Sequence, residues 1–174
     1  MSIKEVITMG HPTLRKKAKP IAENEFDSPE LKLLIQDMSD TMLQQEGIGI
    51  AAPQINVSKQ VCIIDLPEDN PRYDTKELTH ERFIVINPVI KILDKTPGEG
   101  IWEGCLSIPG IRGFVKRPRK IRVTYFTETG QKKQVLLKDM MAIVFQHEID
   151  HLVGKLFVDR LVDSKHLMFE EHFK

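Results

Sequence analysis

The chain has 174 residues, of which 41% are hydrophobic and 29% are charged, and its formal net charge at pH 7 is +0. This composition is typical of one globular domain with a sizeable core, here residues 1–174. The balanced charge gives no electrostatic signature of a protein that binds DNA or an anionic membrane. Two cysteines are too few for a disulfide framework, and the sequence has neither a signal peptide nor an apolar run of membrane-spanning length. We therefore expect a cytoplasmic monomer or small oligomer with no DNA or membrane partner.

The N-terminal part of the chain predicts a short helical turn and then one long helix. Residues 12–17 suit a helical turn. Ser28, Pro29 and Glu30 are typical of a helix start, because they supply a capping hydroxyl, a proline in the first turn and an acid near the positive end of the helix dipole. Apolar residues then recur at helical spacing until Gly47, which is expected to end the helix. These core candidates are Leu31, Leu34, Ile35, Met38 and Met42.

The middle of the chain predicts β-structure. Runs rich in β-branched and aromatic residues occur at residues 60–66, 82–87, 89–93, 120–126 and 132–137. Thr129 and Gly130 are typical of a tight turn, so we expect the last two strands to pair in an antiparallel fashion. The polar segment 67–81 contains two prolines and is interpreted as a surface loop.

Two further helices are predicted near the C-terminus. The first covers residues 139–152, with Asp139 as its cap and Gly154 as its stop signal, and the second covers residues 163–173. Helices at both ends of the chain with antiparallel strands between them predict an α+β fold. In this interpretation, antiparallel strands and small sheets surround a central helix, residues 139–152.

Residues 146–151 read Gln-His-Glu-Ile-Asp-His, which places an HExxH motif inside the first of these two helices. His147 and His151 are four residues apart, so both imidazoles lie on one helix face and can reach one metal ion. Glu148 follows the first histidine directly, as in hydrolases whose general base lies beside a metal-bound water. Residues 140–145 are almost wholly apolar, which predicts that the helix is buried. Buried histidine and glutamate side chains need partners, and a metal ion satisfies all of them.

A catalytic metal site of this kind needs a third protein ligand and an open position. Metzincin-type peptidases take a histidine further along, where this chain has Phe157. Glu170 or Glu171 could serve instead, as could Cys105, which lies among glycines and a proline and is expected in a loop or at a strand end. Cys62 lies in an apolar run and is interpreted as a small buried hydrophobic residue. Spacing alone leaves the choice between Cys105 and the C-terminal acids open.

Three segments in order resemble the peptide deformylases. They read Gly-Ile-Gly-Ile-Ala-Ala-Pro-Gln at residues 47–54, Glu-Gly-Cys-Leu-Ser at residues 103–107 and Gln-His-Glu-Ile-Asp-His at residues 146–151. Each matches a motif of that family without a gap, and the opening segment 10–15 is also similar to the family's start. The resemblance therefore covers nearly the whole chain.

The resemblance implies a hydrolase that removes the N-formyl group from the formyl-methionine of newly synthesised peptides. It implies that Cys105, His147 and His151 are the metal ligands, with a fourth position for water, and that Glu148 is the general base. Ferrous iron is the implied physiological metal, and zinc, nickel or cobalt also suit a site of one cysteine and two histidines. One such divalent ion is expected.

The resemblance also implies how negative charge on the formyl oxygen is stabilised. The two donors are the side-chain amide of Gln54 and the backbone N–H of Leu106. A glutamine amide suits this role because it donates a hydrogen bond without titrating. Taken alone, Gln54 is interpreted equally well as a loop residue that satisfies nearby backbone groups.

Substrate contacts are assigned by similarity. The pocket for the methionine side chain is expected to be lined by Ile48, Ile86, Met140 and Val144. Gly49 leaves room for an extended peptide to pair with the backbone. Arg112 is expected to meet substrate carbonyls or the chain end, although a solvated loop arginine is an equal alternative. Glu103, paired with Arg117, and Asp150 are expected to orient the histidine ligands.

Other functions remain open at this stage. One is an HExxH metallopeptidase that uses Glu170 or Glu171 as third ligand, and another is a metal-binding module without catalysis. The presence of both Glu148 and Gln54 argues against the second, since neither is needed only to hold a metal. Two short basic clusters, at residues 15–17 and 116–120, are most simply solvated surface. Transient contact with the ribosome through them is left open.

Overall fold

The structure is a computed structural model that describes residues 2–66, 81–96 and 98–173. These ranges contain two α-helices, α1 (Pro29–Gln44) and α2 (Asp139–Leu152). Their strands are β1 (Gly49–Ala51), β2 (Val61–Ile64), β3 (Phe83–Ile92), β4 (Ile101–Cys105), β5 (Ile108–Val115), β6 (Lys120–Phe126), β7 (Lys132–Lys138) and β8 (Leu167–Phe169). The mixture of helices and antiparallel sheets confirms the predicted α+β class.

The strands form two antiparallel sheets. The larger sheet has the order β1-β2-β3-β6-β7, and the smaller has the order β4-β5-β8. Successive side chains of a strand point to opposite faces, and β2 is buried on both. Its Cys62 and Ile64 join the core cluster that contains α2, whereas Val61 and Ile63 join the cluster that contains α1. The larger sheet therefore lies between the two α-helices.

Helix α1 begins and ends for the reasons visible in the sequence. The backbone N–H of Leu31 donates to Ser28 Oγ at 3.1 Å, and Pro29 is the first helical residue. The helix ends at Gln44, and the chain then turns through Glu46, whose φ is 52°. The backbone N–H of Gly47 donates to Met42 O at 3.0 Å, so the turn is complete where the glycine was expected to end the helix.

The predicted strands are present, with one change in how they are divided. Residues 82–87 and 89–93 were expected as two strands but form one, β3, with an irregularity between Ile86 and Val89. Asn87 lies in this bulge at a φ of 49°. Its side-chain Oδ1 accepts a hydrogen bond from the backbone N–H of Ile21, and its Nδ2 donates one to the backbone carbonyl of Ile21. The predicted antiparallel pair is confirmed as β6 and β7, joined through Gly130 at a φ of 78°.

Two predictions about the last third of the chain are wrong, one about a whole helix and one about a helix cap. No helix covers residues 163–173; the chain there forms a 3-10 turn, the strand β8 and a second 3-10 turn. β8 pairs with β5, so tertiary hydrogen bonding overrides the helical pattern. Asp139 is not the cap of α2 but its first residue, at a φ of 47°. Its N–H donates to Arg119 O at 2.8 Å, because β7 runs directly into the helix.

Two remaining expectations concern the surface and the membrane. The predicted loop 67–81 lies outside the described residues except for Glu81. Strands β1, β4 and β5 were not predicted as strands.

Within the described ranges, none of the helices combines the length and apolar character that crossing a bilayer requires.

Candidate metal centre and active site

Helix α2 presents the HExxH residues from within the core. Most of the helix is buried, and its apolar residues pack against the larger sheet. The rings of His147 and His151 lie next to each other, with centroids 5.2 Å apart, as the spacing of one helical turn requires. Glu148 is buried on the same helix.

Cys105, the last residue of β4, lies beside the two histidines. Its Sγ is 3.3 Å from Nε2 of His151, and the ligand atoms of Cys105, His147 and His151 all lie within 4.8 Å of one another. Glu170 instead forms an ion pair with Arg112, and Glu171 forms one with His172. The structure thus brings the cysteine, and neither acid, to the histidine pair.

The three residues fit a divalent transition metal by the chemistry of their donor atoms. One thiolate and two imidazoles are the ligands that zinc and ferrous iron take, and three protein ligands leave a coordination position open. The Nδ1–H of His147 donates to Glu103 Oε2 at 2.9 Å, which directs its Nε2 away from that carboxylate. Burial lowers the pKa of His151 well below its usual value, so its ring is neutral, as a ligand must be.

A buried ionic network supports the first histidine. Arg117 donates from Nε to Glu103 Oε1 at 2.6 Å and from Nη1 to Asp150 Oδ2 at 2.7 Å. Arg160 donates from Nη2 to Asp150 Oδ1 at 2.8 Å. Burial alone disfavours the charged form of Glu103, but its hydrogen bonds with His147 and Arg117 lower its pKa to about 2. Glu103 therefore contacts His147 directly, whereas Asp150 is connected to His147 through Arg117 and Glu103.

Glu148 lies in a space that only a glycine on β1 leaves open. A β-carbon on Gly49 would lie 2.4 Å from Oε1 of Glu148, closer than β-carbons approach other heavy atoms in real proteins. Burial raises the pKa of Glu148 to about 7. Its Oε2 is buried and has no hydrogen-bond partner in the described part of the chain. A buried carboxylate in this state is suited to accept a proton from a small ligand such as water.

Gln54 directs its amide nitrogen towards the cysteine. Its Oε1 accepts a hydrogen bond from Ala51 N at 2.8 Å, which orients the amide. Its Nε2 is 3.2 Å from Ser107 Oγ and 3.6 Å from Cys105 Sγ. Leu106 and Ser107 form the turn between β4 and β5, outside the paired register of these strands. The amide of Gln54 and the backbone of Leu106 therefore both lie beside Cys105.

The site opens into a cavity of about 150 Å³. Its lining includes Cys105, His147, Glu148, Gln54, Leu106, Glu103 and the expected substrate residues Ile48, Gly49, Arg112, Met140 and Val144. Ile86 does not line it, and that prediction is wrong. Its side chain is fully buried in the cluster around α1, on the opposite face of the larger sheet.

Sequence reasoning missed several residues at the site. Ile143 lines the cavity one residue before the expected Val144, and Ile101 lines it from β4. Ser107 lies within the Glu-Gly-Cys-Leu-Ser segment, so the sequence could have indicated that it lies at the site beside Gln54. Arg160 had none, because only the fold brings it to Asp150.

Comparison with known proteins agrees with the motifs. Residues 3–167 match the sequence model of the family described as polypeptide deformylase. The chain belongs to this family. A peptide deformylase from Leptospira biflexa is 41% identical over 172 residues, which cover 98% of this chain and 94% of that protein. The resemblance inferred from the three segments is thereby confirmed.

Solved deformylases share the fold. A crystal structure of the class I type b peptide deformylase from Acinetobacter baumannii, with K2U bound, superposes with a TM-score of 0.85 at 36% identity, covering 92% of this chain and all (100%) of that one. The same enzyme with Met-Ala-Ser bound gives a TM-score of 0.84 at 34% identity, again over 92% of this chain and 100% of that one. Deformylases are metal-dependent enzymes that remove formyl groups from nascent peptides, and this one contains a cluster of one cysteine and two histidines.

Proposed function

We propose that residues 1–174 form one catalytic domain that hydrolyses the N-formyl amide of formyl-methionyl nascent peptides. In this proposal Cys105, His147 and His151 hold one divalent metal ion and Glu148 is the general base. The observation that carries it is that Glu148 and Gln54 line one cavity together with Cys105 and His147 of the Cys/His/His cluster. A site that only held a metal would need neither residue.

The substrate binds as an extended chain in this proposal. β1 and β4 are edge strands of their sheets, and both contribute to the cavity lining. An edge strand offers backbone hydrogen bonds to an added peptide strand. The methionine side chain enters the apolar part of the cavity, which is lined by Ile48, Met140, Val144, Ile143 and Ile101. The Acinetobacter baumannii enzyme with Met-Ala-Ser bound supports a short methionyl peptide as the ligand.

The chemistry follows from the residues around the cluster. A bound divalent ion, ferrous iron in the physiological enzyme, supplies Lewis acidity that activates water and the formyl carbonyl, and zinc, nickel or cobalt can take its place. Glu148 accepts the proton of the attacking water and later delivers it to the leaving amine. The amide of Gln54 and the backbone N–H of Leu106 donate to the oxygen on which charge develops.

Limited space beside the metal ligands accounts for selectivity in this proposal. A formyl group carries only hydrogen on its carbonyl carbon, so it can approach where an internal peptide bond, with a chain on both sides, cannot. We also propose that the enzyme is a cytoplasmic monomer that meets its substrate on nascent chains, with at most transient contact with the ribosome. Neither DNA nor a membrane is part of this function.

The test is formate release from formyl-methionyl-alanine by protein purified without oxygen. The Glu148→Ala variant and unformylated methionyl-alanyl-serine are measured in parallel. We expect formate from the wild type alone and no cleavage of the unformylated peptide. Cleavage of the unformylated peptide would favour the metallopeptidase alternative, and absence of formate from metal-replete wild type would overturn the proposal.

A further inference from the structure

The C-terminal segment, residues 167–173, contributes one residue, Glu170, to the wall of the cavity. Its strand β8 pairs with β5 so that Met168 lies opposite Arg112. Its Phe173 ring packs against Trp102 of β4, with centroids 5.8 Å apart. Glu170, between these two anchors, lines the cavity. The segment therefore contacts both β4, which ends at Cys105, and β5.

Within this segment, Glu170 holds the side chain of Arg112. Nε of Arg112 donates to Glu170 Oε1 at 3.0 Å, and Nη2 donates to the same oxygen. The guanidinium carbon lies 5.9 Å from the centroid of the Phe173 ring, and Nη1 would lie 2.9 Å from a β-carbon on Gly104. The Arg112 side chain is 10% exposed, whereas that of Glu170 is 47% exposed. The guanidinium is thus restrained by the carboxylate, by an aromatic ring and by the backbone of β4.

Such restraint matters for a residue that binds a ligand. A flexible arginine loses side-chain entropy when it binds, and prior ordering reduces that loss. A guanidinium carries five N–H donors in a fixed fork, so Arg112 can bind Glu170 and a substrate carbonyl together. The pair is also electrically neutral, which suits recognition of backbone carbonyls in chains of varied sequence better than an isolated positive charge does.

We infer that Glu170 is a positioning residue for substrate binding. It holds Arg112 in the orientation in which Arg112 binds backbone carbonyls of the residues after the methionine, and the segment 167–173 forms the wall of that subsite. This inference rests on the proposed function. It assigns no part in bond cleavage to Glu170, so its removal should weaken binding of substrates long enough to reach Arg112 and leave the shortest substrates unaffected.

The experiment compares two substrates, formyl-methionyl-alanyl-serine and formyl-methionine amide. We expect Glu170→Gln to raise KM for the tripeptide about tenfold, with kcat little changed, and to change KM for the amide by less than about twofold. Glu171→Gln is the matched control, since it removes the same charge from a neighbouring exposed residue that does not line the cavity. Glu171→Gln should leave KM and kcat unchanged for both substrates.

A double-mutant cycle separates positioning from a general structural role. If Glu170 acts through Arg112, Glu170→Gln should have no further effect in an Arg112→Ala background. Additive losses, or equal losses with both substrates, would overturn the inference while leaving the proposed function intact. Absence of formate from the wild type with either substrate would overturn the proposed function and this inference with it.

Discussion

The carboxylate of Glu148 lies so close to the backbone of Gly49 that a β-carbon at residue 49 would be 2.4 Å from Oε1 and 2.7 Å from Cδ. Gly49 belongs to edge strand β1, and Glu148 belongs to the buried helix α2. Two separate motifs of the sequence are therefore coupled by direct contact. Residue 49 must lack a side chain for Glu148 to lie where it does.

Replacing Gly49 should impair catalysis more than folding. In Gly49→Ala the added methyl group displaces the Glu148 carboxylate, and a displacement of about 1 Å in a catalytic group can lower kcat by about 100-fold. Gly47→Ala is the control, because its β-carbon would meet mainly the terminal methyl of Leu106, at 3.1 Å. Formate release and thermal unfolding are measured for both variants. A kcat of Gly49→Ala equal to that of Gly47→Ala would show that Glu148 relocates without loss of function.

The Arg117 side chain should matter for stability and for metal affinity together. Arg117→Met removes the cation between Glu103 and Asp150 and leaves two buried carboxylates less compensated. Breaking a buried ion pair from one side typically costs about 3–5 kcal/mol. Because Glu103 orients His147, metal affinity should also fall by roughly 10- to 100-fold.

The matched control for this variant is Arg122→Met, which removes a partly exposed arginine from β6. Urea unfolding and metal titration are compared for both proteins. Normal metal affinity in a destabilised Arg117→Met protein would show that the ionic network contributes to stability and not to metal binding.

The two cysteines should differ sharply in reactivity. Burial raises the pKa of the Cys62 thiol well above its ordinary value, so it remains protonated at pH 8. Cys105 is partly exposed to the cavity. After removal of metal by a chelator, iodoacetamide at pH 8 should therefore label Cys105 alone. Peptide mapping by mass spectrometry identifies the site, and label on native Cys62 would contradict the burial.

The same pair of residues tests the metal site. Cys105→Ala should lose its bound metal and its activity, since it removes one of three ligands. Cys62→Ala should retain both, because Cys62 lies in the core cluster beside α2 and is not among the clustered ligand atoms. Metal content per chain is measured by elemental analysis of protein prepared without oxygen. A Cys105→Ala protein with full metal content and activity would favour a different third ligand.

Local patterns predicted the elements whose signals are local. The start of α1 follows from Ser28 and Pro29, and the β6–β7 pair follows from two alternating runs around Gly130. The helix predicted for the C-terminal segment was wrong because tertiary contacts, not local patterns, determine its conformation. Leu167 and Phe173 fit a helical pattern, but pairing with β5 and stacking on Trp102 hold the segment in another conformation. Likewise Ile86 was assigned to the pocket, although β3 directs it to the far face of the sheet.

The sequence by itself determined the pair His147 and His151 with Glu148 beside them, because four residues make one helical turn wherever the helix packs. It also determined the family, through three ordered segments. Only the tertiary structure decided that Cys105 joins the histidines while Glu170 binds Arg112. The distances between these groups depend on how two sheets pack around α2, and spacing along the chain carries no information about that packing.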